Sequence, residues 1–133
     1  MSDQRTVLVV EDDVVFRRVL GYTIKKAGFV VESFGNGALA YDRLIQGNVD
    51  CLVTDLQMPV CDGVTLLKRL TETEGYSRPP AILCTAKGLE LDSQELIQRF
   101  QLSAVMHKPF SPRKLLTMIE EFCRVPAATS SES

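Results

Sequence analysis

The side chains best suited to chemistry in this sequence stand where short apolar runs end. Glu11 and Asp12, with Asp13 behind them, follow the β-branched run Thr6 to Val10. Asp55 follows Cys51 to Thr54, Thr85 follows Ala81 to Cys84, and Lys108 comes just after Ala104 to Met106. An ionised carboxylate at the rim of a core costs several kcal/mol unless something pairs with it, so each acid here asks for a partner. Two carboxylates about 4 Å apart repel by roughly 4 kcal/mol at an effective dielectric near 20, which a bound cation or an uptake of protons relieves. Hard oxygen ligands suit Mg2+ better than zinc. A divalent ion would also neutralise an incoming phosphate, while Lys108 offers a movable positive charge and Thr85 a hydroxyl for a phosphoryl oxygen. The chemistry these types support together is phosphorylation of Asp55 itself, giving an aspartyl phosphate.

For those residues to meet, the runs that carry them must lie side by side and point the same way. The pattern predicts this. Strands are expected at Thr6 to Val10, Phe29 to Ser33, Asp50 to Thr54, Ala81 to Cys84 and Ala104 to Met106. Between them apolar residues recur at helical spacing. Phe16, Leu20 and Ile24, flanked by Val19, Thr23 and Ala27, form a first helix that Asp13 caps and Gly28 stops. Ala38 to Ile45 forms a second, after a turn at Gly35 to Gly37. Asp62 caps a third from Gly63 to about Thr71, with Leu66, Leu67 and Leu70 inward. Asp92 and Glu95 resemble a capping box ahead of Leu96, Ile97 and Phe100, and Ser111-Pro112 opens the last helix, carrying Leu115, Ile119 and Phe122. Five strands alternating with five helices predict a doubly wound α/β domain, a flavodoxin-like parallel sheet of order 2-1-3-4-5. All strand ends then share one edge.

Composition narrows the function further. With 133 residues the chain has the size of one domain, and a formal charge of -2 without a basic stripe speaks against direct nucleic-acid binding. The longest apolar runs are too short to span a membrane and the first five residues are polar, so a cytoplasmic location is expected. The four cysteines, Cys51, Cys61, Cys84 and Cys123, form no C-x-x-C pair, and His107 is the one histidine, which makes buried thiols the expectation rather than a zinc site. The segment 126–133 is small and polar, and reads as a disordered tail or the stub of a linker after a domain at 1–125.

Val-Leu-Val-Val-Glu-Asp-Asp at the start, Thr-Asp-Leu-Gln-Met-Pro with Asp-Gly after it, Thr-Ala after the fourth strand and Lys-Pro-Phe after the fifth resemble, in that order, the receiver domain of bacterial response regulators. The resemblance covers about Thr6 to Arg124. It implies a two-component signalling switch that takes a phosphoryl group from a phosphohistidine of a sensor histidine kinase or a histidine phosphotransfer protein. Asp55 would be the phosphoacceptor, and Asp12, Asp55 and the backbone carbonyl of Gln57 would bind Mg2+, with Glu11 holding the ion through water. Thr85 would turn toward the phosphoryl group, Lys108 would form the ion pair, and the Lys108-Pro109 bond would be cis. A downstream protein effector is implied, and a phosphorylation-dependent homodimer is compatible with it. Such a domain catalyses only its own phosphorylation and dephosphorylation. Gln57 and Lys87 flank the family's route for attacking water and are expected to tune the phosphoryl lifetime.

One position departs from the pattern. Three residues before Lys108 the family carries an aromatic ring that swings inward when the threonine moves, and here Val105 stands there. That leaves room for an interaction module of the same fold not driven by phosphorylation. An aspartate-nucleophile phosphatase fits less well, because Gln57 stands where its D-x-D pattern needs an acid. Arg17, Arg18, Lys25 and Lys26 on the first helix form either a solvated face or a surface for an acidic partner.

Overall fold

Alternation along each strand decides which layer a side chain joins. In the computed structural model, which describes residues 4–58, 61–86 and 93–123, strand β1 (Thr6–Val10) sends Val7 and Val9 into one apolar cluster and Leu8 and Val10 into another. Strands β3 (Cys51–Asp55) and β4 (Ala81–Thr85) divide the same way: Leu52, Ala81 and Leu83 face one cluster, Cys51, Val53, Ile82 and Cys84 the other. Every residue of these two strands is buried. That is the signature of strands covered on both faces, and it explains why their sequences are continuous apolar runs.

The sheet has five parallel strands in the order β2-β1-β3-β4-β5, with β2 (Val30–Phe34) and β5 (Ala104–His107) at its edges. This is the flavodoxin-like order expected from the sequence. Helices α1 (Val14–Lys26) and α5 (Pro112–Phe122) cover one face through Leu20, Ile24, Leu115 and Ile119. Helices α2 (Gly37–Leu44), α3 (Gly63–Glu72) and α4 (Ser93–Phe100) cover the other, through Ala40, Leu44, Leu66, Leu67, Leu70 and Phe100. Burying such a side chain contributes roughly 1.5–3 kcal/mol, so the two clusters supply the main drive to fold.

Caps fix where the helices begin. Asp13 accepts from the Phe16 amide, Asp62 from that of Thr65 at 2.8 Å, and Ser111 from that of Lys114, with Pro112 at the first helical position. Asn36 caps α2 by accepting from Leu39, a start that the glycines around it concealed in the sequence. Asp92 and the tail lie outside the described residues, as do Lys87 and Pro59.

Boundaries and burial differ in places from the sequence reading. β2 runs one residue later than expected, because the Val30 amide opens the ladder on the Arg5 carbonyl and the Glu11 amide closes it on that of Phe34. α2 starts at Gly37 and ends at Leu44, one residue earlier than expected at each end. β3 takes in Asp55, held by the bond from the Leu56 amide to the Cys84 carbonyl. On α1 only Leu20 and Ile24 are buried, while Val19 is exposed, and on α4 only Phe100 is buried, with Leu96 and Ile97 packed partly against the core. All four cysteines are free and buried.

Candidate functional site

Parallel register brings the strand ends to a common edge. Asp55 pairs in register with Cys84, and Thr85 with His107, so the ends of β3, β4 and β5 are adjacent. Glu11 leaves β1 next to β3 and is itself buried. One carboxylate oxygen from each of Glu11, Asp12 and Asp55 lies within 4.8 Å of the others. At that separation each pair of charges repels by about 3 kcal/mol at an effective dielectric near 20.

The protein answers part of that repulsion itself. Lys108 Nζ donates to Glu11 Oε1 at 2.9 Å and lies 3.3 Å from Asp55 Oδ2. The second Glu11 oxygen accepts from the Asp13 amide at 3.1 Å, and the Glu11 carbonyl accepts from Arg17 Nη1 at 2.7 Å. Glu11 is thereby tied at both ends. Burial works to lower the Lys108 pKa, but the hydrogen bond to Glu11 and the nearby carboxylates outweigh it and hold the ammonium charged above its ordinary range. Burial, reinforced by Glu11, pushes the Asp55 carboxyl up to about 6 against the opposing pull of Lys108. At neutral pH Asp55 is still mainly ionised.

Asp12 is exposed, and Gln57 lies exposed in the bend between β3 and α3. Asp13 serves as the helix cap. The described donor set fits a small divalent cation: hard carboxylate oxygens of the buried Glu11 and Asp55 and the exposed Asp12 converge, with one ammonium against three acids. Glu11, Asp12 and Asp55 are the residues placed to hold it.

Thr85 is 1% exposed, and its hydroxyl has no hydrogen-bond partner. A buried hydroxyl without a partner costs about 1–3 kcal/mol, so this one is poised to bond whatever enters beside it. The Lys108 amide donates to the Thr85 carbonyl at 2.8 Å, which fixes the β5 end relative to β4, and the Lys108-Pro109 peptide is cis. Val105 packs against the cluster beneath α2, α3 and α4, on the face that alternation also gives to Thr85. Ser93 Oγ lies 2.9 Å from His107 Nε2, joining the start of α4 to the end of β5.

Three residues make supporting contacts that the sequence did not assign to them. The Phe16 ring lies 5.2 Å from Lys108 Nζ and meets Phe110 edge-on at 5.6 Å, so a residue read as helix core steadies the site lysine. A Cβ on Gly63 would collide with the Asp55 carbonyl, which explains the Asp-Gly after β3. Arg17, read as part of a basic helix face, instead reaches back to Glu11. Arg18, Lys25 and Lys26 remain exposed on α1.

Comparison with known proteins points the same way. Residues 7–120 match the family described as the response regulator receiver domain. The chain is similar to the transcriptional regulatory protein SrrA of Staphylococcus aureus, 30% identical over 128 residues, or 95% of this chain and 51% of the relative. It thus spans about half the length of the curated relatives it matches. Among solved structures it is similar to the chemotaxis response regulator CheY4 of Vibrio cholerae, with TM-score 0.78 and 25% identity over 90% of this chain and 98% of that one. The receiver domain of the Francisella response regulator 1452 has the same fold, with TM-score 0.81 and 24% identity over 91% and 98%.

Proposed function

The chain belongs to the response regulator receiver domain family, and from that premise we propose that it is a phosphorylation-controlled switch whose phosphoacceptor is Asp55. The observation that carries this reading is the pairing of a buried, ionisable Asp55 with Lys108 and Glu11 at a strand edge where an unpartnered Thr85 hydroxyl also ends. The phosphoryl donor is a phosphohistidine on a sensor histidine kinase or a histidine phosphotransfer protein. An Asp55 carboxylate oxygen attacks phosphorus, the P–N bond to the donor breaks, and the imidazole leaves with the bonding pair.

Mg2+ would be held by Glu11, Asp12 and Asp55, with the Gln57 backbone carbonyl as a further ligand, and when bound it supplies charge neutralisation for the transferring group. The chain's own groups do the rest. Lys108 holds its ammonium at the Asp55 carboxylate and is placed to follow charge onto a phosphoryl oxygen. Thr85 donates its free hydroxyl proton to another phosphoryl oxygen and so gains the partner it lacks. That movement favours one of two conformations at α4 and β5 and changes a surface read by a downstream protein effector. Gln57 and Lys87 tune the lifetime of the acyl phosphate by controlling the approach of water.

Family members of this kind are signalling domains rather than conventional enzymes, and no helix among the described residues is long and apolar enough to cross a membrane. We place the protein in the cytoplasm, where histidine kinases present their phosphohistidine. Incubation with acetyl phosphate and Mg2+ should raise the intact mass by one phosphoryl group in the wild type and leave Asp55→Asn unchanged. A wild type that binds Mg2+ yet never gains that mass, with acetyl phosphate or with a phosphorylated kinase, sinks the proposal.

A further inference from the structure

A cavity of about 370 Å3 lies away from the strand edge that carries Asp55. It opens at the other end of the sheet, where the loop from α3 enters β4 and where α4 ends. Its walls include Leu70, Tyr76, Arg78, Arg99, Phe100 and Gln101. Its volume falls within the roughly 300–1,000 Å3 of small-molecule sites, and its lining is mainly polar, with Leu70 and Phe100 as the apolar part.

Its polar groups are only partly satisfied. Arg78 Nη2 donates to the carbonyls of Phe100 at 2.9 Å and Gln101 at 3.1 Å, closing the end of α4. Its other terminal nitrogen, Nη1, is buried without a partner, and so is the Tyr76 hydroxyl. No carboxylate of the described residues lies within ion-pair distance of Arg78. Burial lowers the Arg78 pKa and raises that of Tyr76, as expected for groups removed from water without compensation. A guanidinium presents a planar fork suited to two oxygens of one carboxylate or phosphate, and capping the helix uses one side of that fork.

The backbone adds an independent sign. Gln101 ends α4 with φ of 54°, in the left-handed region where glycine or asparagine is the cheaper residue. Glutamine there places an amide side chain in the cleft wall that glycine would not. A smaller adjoining cleft shares Arg99 and Phe100 and adds Lys68 beside Glu72. Lys68 and the acidic Glu72 thus both line the groove beside Arg99.

We propose that this cleft binds a small organic oxyanion, a carboxylate or phosphate ester whose charged group is held by Arg78, Arg99 and the Tyr76 hydroxyl while its carbon body rests on Leu70 and Phe100. The site is separate from Asp55 and does not rest on the phosphoryl reading. It nevertheless touches α4, whose first residue is bonded to His107 at the end of β5, so its occupant acts on the helix that leads back to Thr85.

The test is titration of the 15N-labelled protein with succinate, glycerol 3-phosphate and inorganic phosphate, with chloride at matched ionic strength. The expected result is a saturable set of shifts at Tyr76, Arg78 and Gln101 with at least one organic anion, bound more tightly than inorganic phosphate. The tighter of the two organic anions assigns the charged group. Arg99 is exposed, so Arg99→Gln should leave the thermal midpoint without ligand unchanged while weakening that binding about tenfold. Tyr76→Phe keeps the ring and should weaken binding more mildly. No saturable shift with any of the three anions overturns the proposal. So do shifts shared with Arg18, Lys25 and Lys26 that chloride abolishes, inorganic phosphate bound as tightly as the organic anions, or binding that survives both substitutions.

Discussion

The strand edge has two halves that are built differently. In the half formed by β1, β3 and Lys108, every buried charge is held: Glu11 by Lys108, the Asp13 amide and Arg17, and Asp55 by Lys108. In the half formed by β4 and β5, the buried Thr85 hydroxyl has no partner and Val105 offers only an aliphatic surface on the same face. The first half is preorganised and the second is left incomplete. Under the proposed function, charges needed before a phosphoryl group arrives would be mutually supported, whereas a group that reports the arrival would have a bond still to make.

Removing Lys108 from the first half and the Thr85 hydroxyl from the second should therefore move stability in opposite directions. Lys108→Ala has the largest expected effect, a loss of about 3 kcal/mol at pH 7.5 in EDTA, because it strands two buried carboxylates. Urea unfolding measures this, and Mg2+ should restore part of the loss. A Lys108→Ala protein as stable as the wild type would mean that the first half is not held by its charges.

Asp55→Asn should act the other way. The Asp55 carboxyl is raised from its ordinary 3.8 to about 6, so the folded form binds the proton more tightly than the unfolded chain between those values. Stability contributed by that proton is present below about pH 4, falls as pH rises toward 6, and is absent above. In EDTA the wild type should lose about 2 kcal/mol across that window relative to Asp55→Asn, the roughly 3 kcal/mol of the full shift less solvent screening at a partly open site; Asp55→Asn lacks the titration and should be more stable at pH 7.5 by the same amount. Parallel stability curves for the two proteins would contradict the assigned shift.

In the incomplete half, Thr85→Val removes a buried hydroxyl that bonds nothing and should stabilise the unphosphorylated protein by about 1 kcal/mol, read from the same unfolding curves. The sharpest probe of Val105 is optical, since the sequence contains no tryptophan. Val105→Trp should cost about 1–3 kcal/mol of stability and report beryllofluoride with Mg2+ through its emission. In a Thr85→Ala background that response should vanish. An emission change that persists there would show that the signal bypasses Thr85.

Much of the first half was legible in the sequence because charge placement follows from topology. Once the runs ending at Glu11, Asp55, Thr85 and Lys108 are read as parallel strands, the convergence of those residues is forced. Supporting contacts were harder to see. Phe16 lies on the apolar stripe of α1 and Arg17 in a basic cluster, and nothing in their spacing distinguishes a ring beside Lys108 or a guanidinium on the Glu11 carbonyl from ordinary packing and a solvated charge. The exposure of Val19 and the partial burial of Leu96 and Ile97 escaped for a related reason, since periodicity gives a helix face but not the width of the groove it enters. The Arg78 cleft had no sequence signal at all, because its walls come from a loop and the ends of two helices, where no period applies.

The account stands or falls on where a phosphoryl group attaches. Protein treated with acetyl phosphate and Mg2+, reduced with borohydride and digested with trypsin should yield the peptide from Leu44 to Lys68 with homoserine in place of Asp55, and Asp55→Asn should yield none. Homoserine at Asp12, Asp13 or Asp62 instead, or label retained in Asp55→Asn, would contradict it.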